Sequence, residues 1–194
     1  MKLLISTGAI IGIVAAVAVV LILIIWAIAA HNKVVALKVQ CDDGFSTIDV
    51  YLKKRYDLIP NIVETVKGYA KHESTTLQNV IAARNKLSSA TTADDIIEAD
   101  NAMGQAIRGL NMLVERYPEL KADRSFVSLQ NQLQGIENEL SQARKYYNAT
   151  VREYNTKIQT FPTLIMAKFM KAKTRKMFTL DDNPVERQNV TVQF

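Results

Sequence analysis

From Leu3 to Ala30 the chain runs for 28 residues without a charged side chain. The run is built from Leu, Ile, Val and Ala, with Ser6, Thr7, Gly8 and Gly12 near its start. A helix rises ~1.5 Å per residue, and ~20 apolar residues cross a hydrocarbon core of ~30 Å. The run is therefore long enough to span a bilayer with tilt. Trp26 lies near its far end, where an amphipathic ring suits the lipid–water boundary, and His31, Asn32 and Lys33 stop it. A cleaved signal peptide is the other reading, since Ala27-Ile28-Ala29 fits a small-x-small site. The run is roughly twice the length of a signal's apolar region, which favours an anchor. A lipoprotein is disfavoured, because Val39-Gln40 before Cys41 lacks the small residues of a lipidation site.

The flanks bear on orientation and assembly. Lys2 precedes the run; Lys33, Lys38, Lys53, Lys54 and Arg55 follow it. Positive flanks stay in the cytoplasm, so the soluble part is expected on the cytoplasmic side of a membrane that the chain crosses once. Gly8, Gly12 and Ala16 form a row four residues apart. Small residues at that spacing let two spanning helices approach closely, although Gly and Ala are also common in spans that do not associate.

Past residue 30 the apolar residues fall on helical spacings. Val34, Leu37, Cys41, Phe45, Ile48, Leu52, Tyr56 and Ile59 lie three or four apart. Pro60 removes one backbone donor, which predicts a kink, and Val63, Val66, Ala70, Leu77 and Val80 carry the stripe on. The spacing thus predicts a first helix from 31 to about 88. Ser88–Thr92 reads as a loop, with Thr92 and Asp95 as a helix start. A second helix is predicted to about Tyr117, facing Ile96, Met103, Ile107, Leu110 and Leu113 inward; Pro118 marks the next break. A third begins near Asp123–Ser125 and places Phe126, Leu129, Leu133, Ile136, Leu140, Ala143, Tyr147, Val151, Tyr154, Ile158 and Phe161 on one seam, ending at Pro162. The expected fold is all-α: a transmembrane anchor over 1–30, an antiparallel bundle of long helices with coiled-coil-like packing over 31–162, and a tail over 163–194.

Charge and residue types narrow the function. Residues 31–162 hold 17 basic and 16 acidic side chains, and such a near-neutral body argues against nucleic-acid binding. One cysteine excludes an internal disulfide, and Cys41 on the stripe reads as a small buried hydrophobe. With two histidines and no Glu-x-x-His pair, no metal and no cofactor is expected. The acids Asp94, Asp95, Glu98, Asp100, Glu137, Glu139 and Glu153 are expected to face solvent. Lys71-His72-Glu73 is expected to be a solvated face, because no nucleophile signature or glycine-rich loop accompanies it. No catalytic constellation is expected.

Three groups remain as candidate surfaces. Arg55, Tyr56, Asp57, Pro60, Asn61, Glu64 and Lys67 surround the predicted kink. They read either as a partner-docking surface or as charges (Arg55, Asp57 and Glu64) that pair across the kink and cap its disrupted hydrogen bonds. Tyr146, Tyr147, Asn148, Tyr154 and Asn155 on the third helix suit register-setting hydrogen bonds, read either as an interface between protomers or, more economically, as packing within the bundle. In the tail, Lys168, Phe169, Lys171, Lys173, Arg175 and Lys176 belong to a basic stretch with Met and Phe between the charges. That stretch reads either as a helix on an anionic membrane surface or as a last bundle helix with a solvated lysine edge. Three long helices running up, down and up would leave residue 162 far from the membrane of the anchor.

Several blocks resemble the LemA family. They are IDVYLKKRYDLIPNIVETVKGYAKHE from Ile48 to Glu73, Ala83-Arg84, YPELKA from Tyr117, LQNQLQGIEN from Leu129, ARKYYN from Ala143, YNTKI from Tyr154, and Phe161-Pro162. The resemblance covers roughly residues 31–162. It implies a bacterial membrane protein with one N-terminal span and an α-helical bundle, and it implies no defined activity. The expected function is a non-enzymatic, membrane-anchored scaffold. Its expected partners are the lipid bilayer, further copies of itself and other membrane proteins. The alternative is a membrane-shaping or lipid-sensing protein acting through the basic tail.

Overall fold

A computed structural model of the chain describes residues 7–70 and 73–179. Its elements, all helical, are α1 (Thr7–Tyr69), α2 (Ser74–Ser89), α3 (Ala93–Val114), α4 (Pro118–Ala122), α5 (Arg124–Gln159) and α6 (Thr163–Phe169). The apolar start of α1 is long and apolar enough to cross a membrane, with a mean hydropathy of 3.2. Its Ile, Val and Leu side chains from Ile10 to Ile28 are exposed by 49–67% among the described residues, while Trp26 is half-buried. Pro60 lies inside α1, which continues to Tyr69.

The predicted first helix is in fact two. α1 ends at Tyr69 and α2 begins at Ser74, so the apolar stripe crosses a break that its periodicity does not register. Gly68 weakens the helix just before the break, and Ser74, Thr75 and Thr76 open the next one. Both halves of the stripe reach the same core, where Ile59, Ile62 and Val66 join Leu77 and Val80. His72 lies outside the described residues.

The described residues divide into two compact units. One comprises 44–70, 73–148 and 176–179. Its core adds Met103, Leu110, Leu113, Leu120, Phe126 and Leu133 to the residues above. Ile97, rather than Ile96, is the buried one of that pair. Thr92 and Asp95 form a reciprocal capping box at the start of α3: the Thr92 hydroxyl accepts from the Asp95 N–H at 3.1 Å, and the Asp95 carboxylate accepts from the Thr92 N–H at 3.1 Å. At the start of α5 the Asp123 carboxylate accepts from the Phe126 N–H at 2.9 Å and from the Tyr69 hydroxyl at 3.0 Å.

The other unit comprises 7–43 and 149–175. There α1 buries Ala30, Val34, Leu37 and Cys41, and α5 buries Val151, Tyr154 and Ile158. Lys33 pairs with Glu153 at 3.1 Å and Arg175 with Asp42 at 2.6 Å. Phe161, expected in the seam, is 80% exposed instead, because α5 has ended two residues earlier.

Among the described residues, which end at 179, the tail does not continue as an amphipathic helix past α6; residues 180–194 lie outside the described residues. After Phe169 the chain makes a Schellman turn: the Ala172 N–H donates to the Ala167 carbonyl at 3.0 Å and the Lys171 N–H to the Lys168 carbonyl at 3.0 Å. Lys171 takes the left-handed conformation that this turn requires, with φ 52°. Residues 172–179 then run on without regular secondary structure. Asn155 holds Arg175 by two bonds, its Oδ1 accepting from the backbone N–H at 2.9 Å and its Nδ2 donating to the carbonyl at 2.8 Å. In the first unit Asn148 holds Phe178 likewise, at 2.8 and 2.7 Å. The two asparagines therefore bind tail backbone, rather than setting register between bundle helices.

Replacing Thr92 by Ala is expected to cost about 1 kcal/mol, read as a lower thermal midpoint of the full chain in detergent. The Asp123 carboxyl lies below its ordinary pKa, first because of the Phe126 N–H and then because of the Tyr69 hydroxyl. Its stabilising effect is present above the ordinary carboxylate pKa and is lost as the pH falls through the lowered one. The midpoint of Asp123→Asn should accordingly fall less than that of the native chain on acidification.

Candidate functional site

The most unusual chemistry in the chain is a cluster of four charges inside the first-described unit. On α1 the residues Ile48, Leu52, Arg55, Ile59, Ile62 and Val66 follow spacings of four, three, four, three and four. That spacing carries Arg55 into the core, where it is fully buried. Its Nη2 donates to Asp100 Oδ1 on α3 at 2.5 Å, and its Nη1 to Glu137 Oε1 on α5 at 3.0 Å. Arg144, two turns further along α5, holds both Asp100 oxygens at 2.7 and 2.6 Å. Asp100 is only 3% exposed.

Two guanidinium groups and two carboxylates make a neutral set, which is the form in which buried charge is tolerable. The set ties three helices together at one level. Around it, the Tyr51 hydroxyl donates to Glu139 at 3.2 Å, and the Arg144 guanidinium lies 6.0 Å from the Phe178 ring. Phe178 completes an aromatic group with Phe45 and Tyr147, at centroid distances of 6.2 and 5.5 Å.

This arrangement revises the reading of the kink residues. Arg55 is not on a docking surface, because its side chain is consumed inside the bundle. It does not pair with Asp57 or Glu64 either. Asp57 bonds Lys53 at 2.6 Å on the exposed side, and Glu64 lies 3.8 Å from Lys67. Asp100 and Glu137 likewise depart from the expected solvent-facing acids, because both answer a buried guanidinium. The signal available in the sequence was the stripe spacing itself. Arg55 and Asp100 hold positions where apolar residues are due.

The cap on the proline comes from another residue. Pro60 has no N–H, so the Tyr56 carbonyl, one turn before it, loses its helical donor. Arg84 of α2 replaces that donor, its Nε reaching the Tyr56 carbonyl at 3.2 Å. The same guanidinium lies 3.8 Å from the centre of the Tyr56 ring. Tyr56 and Pro60 are therefore half-buried, while Asn61, Glu64 and Lys67 remain exposed. Tyr56 also lines a shallow cleft of about 300 Å³ with Asp49, Lys53, Leu87 and Ile96.

The remaining candidates fall as follows. Gly8, Gly12 and Ala16 are exposed on α1. A Cβ placed on Gly12 meets nothing within 4 Å. Lys168 and Phe169 end α6, and Lys171, Lys173 and Lys176 are exposed beyond it. Arg175 departs from the expected membrane set, because Asp42 holds it at 2.6 Å and the Tyr154 ring lies 5.7 Å from it. Among the described residues no three His, Cys, Asp or Glu side chains are grouped as metal ligands.

Comparison with known proteins now fits this architecture. The sequence profile of the LemA family matches residues 44–194. The chain belongs to the LemA family. A protein described as Protein LemA, from Metamycoplasma hominis, is 26% identical over 137 residues, covering 70% of this chain. The chain spans 63% of that relative's length. The family match includes the tail after Pro162, which the quoted blocks left out, and it begins past the apolar segment of α1.

Two outcomes test the site. Asp100→Ala should destabilise the bundle by roughly 3–5 kcal/mol, since it leaves buried Arg55 and half-buried Arg144 with Glu137 as their one remaining carboxylate, whereas Arg55→Met with Asp100→Leu should retain more stability than Asp100→Ala alone. Both are read as denaturation midpoints. Arg84→Met should cost about 1–3 kcal/mol in the native chain, and clearly less in a Pro60→Ala background, where the backbone supplies its own donor.

Proposed function

We propose that this LemA-family chain is a membrane-tethered, non-catalytic scaffold that self-associates through its span and presents its helical bundle to other membrane proteins. The observation that carries this reading is α1 itself. One unbroken helix contains both the exposed apolar segment from Ile10 to Ile28 and the residues that build the bundle core, such as Ile48, Ile59 and Val66. Apolar side chains exposed over that length are stable in lipid and not in water. The bundle's buried charges support a non-catalytic role, since they neutralise one another instead of facing a cleft.

Self-association rests on the row of Gly8, Gly12 and Ala16. A Cβ on Gly12 meets nothing within 4 Å among the described residues, so a larger side chain there is expected to act on association between spans. The docking face of the bundle is the exposed remainder of the kink group: Asp57, Asn61, Glu64 and Lys67. A cytoplasmic position of the bundle follows from the basic flank of Lys33 and Lys38.

Native mass spectrometry of the full chain in a mild detergent tests the assembly. Oligomers are expected for the native chain, and a shift toward monomer for Gly12→Leu with unchanged helicity. A native chain that stays monomeric at every concentration overturns the self-association.

A further inference from the structure

In the unit formed by residues 7–43 and 149–175, α5 runs antiparallel to α1. The Cys41 and Thr150 side chains share a hydrogen bond. Eleven residues back along α1 from Cys41 is Ala30, the last residue of the charge-free run. Eleven residues on from Thr150 is Phe161, just past the end of α5. Equal rise per residue therefore puts Phe161 level with the end of the apolar segment. Burial agrees. Ala30 is buried, and Trp26 and Ala27 are half-buried between exposed neighbours. Within this unit, the end of α5 and α6 are the elements placed to cover them. The expectation that residue 162 lies far from the anchor's membrane end does not hold for this packing.

What α6 shows at that level is unusual for a surface in water. Thr163 and Ala167, four residues apart, are its buried face. Phe161, Ile165 and Phe169 also lie four apart and point outward, exposed by 80%, 44% and 80%. Lys157, Lys168, Lys171 and Lys173 flank them in sequence, and residues 155–180 contain no Asp or Glu. Exposed apolar side chains in a lysine-bearing, acid-free stretch, at the depth where a span ends, match the headgroup boundary of an anionic bilayer.

We propose that the α5–α6 turn is a membrane-surface wedge, with Phe161, Ile165 and Phe169 seated in the interface beside Trp26 and the lysines on anionic headgroups. This goes beyond the scaffold reading but shares its anchor. The occupant is the bilayer that α1 crosses, argued from the shared level and from charge complementarity. The wedge is a seven-residue helix with its flanking turns, not a long basic tail helix, and Arg175 takes no part in it.

Depth-dependent quenching tests the wedge in the full chain, reconstituted into phosphatidylcholine–phosphatidylglycerol vesicles containing lipids brominated on the acyl chain. In a Trp26→Phe background, single tryptophans are placed by Phe161→Trp and Phe169→Trp. Leu21→Trp reports the span, and Met112→Trp, exposed on α3, reports the bundle. Quenching at 161 and 169 is expected to exceed that at 112 by ~2-fold or more, as for side chains seated in the headgroup boundary. It is expected to weaken when phosphatidylglycerol is omitted; equal quenching in neutral vesicles overturns the role given to the lysines. Quenching at 161 and 169 no greater than at 112, with residue 21 quenched, overturns the wedge and leaves the anchor standing. An unquenched residue 21 overturns the anchor and the wedge together.

Discussion

The bundle depends on one buried guanidinium. Arg55 enters the core on α1 and finds a carboxylate on α3 and another on α5, and Arg144 supplies the balancing positive charge. A lone buried charge carries a desolvation penalty of several kcal/mol, which falls sharply only when all four groups meet with good geometry. An apolar seam tolerates sliding, because one leucine contact resembles the next. A set of directed charge-assisted bonds does not, so the register of α1, α3 and α5 is tied to this point. Among the described residues the Nε atoms of Arg55 and Arg144 find no hydrogen-bond partner.

The same logic, side chains answering backbone groups that helices leave unpaired, recurs around the bundle. Arg84 supplies the donor that Pro60 lacks. Thr92 and Asp123 supply acceptors for the first turns of α3 and α5. Asn148 and Asn155 offer paired donors and acceptors to residues of the tail, which is how an irregular segment comes to lie on a helix without leaving polar groups unmet. The caps are local, whereas the asparagine contacts join Asn148 to Phe178 and Asn155 to Arg175, 30 and 20 positions apart.

Membership of the LemA family and the exposed apolar start of α1 fit together with this interior. The chain places one network of paired charges inside the bundle, where it ties α1, α3 and α5 together. It leaves outside an apolar helix segment, a row of small residues and a short turn of phenylalanines among lysines. A molecule so divided invites roles based on placement and contact.

Much of this architecture was legible in the residues. The charge-free run, the apolar stripes, the loop before Thr92 and the long helix after Asp123 are local properties, set by backbone hydrogen bonding and by which side chains avoid water. The break at 70–73 was not legible, because a stripe of period 3.6 continues in phase across a turn when both halves face one core. The tail's short helix was hidden too, since its stop rests on a Schellman turn at Lys171 rather than on a glycine. Nor could spacing alone tell Arg55 from a solvated neighbour: its burial has meaning only once Asp100, Glu137 and Arg144 stand around it. An apolar segment followed by amphipathic helices was readable directly from the residues, because both follow from each residue's own chemistry. Which charges are interior, and which phenylalanines lie level with the end of the apolar segment, emerged from packing, because both depend on residues dozens of positions away.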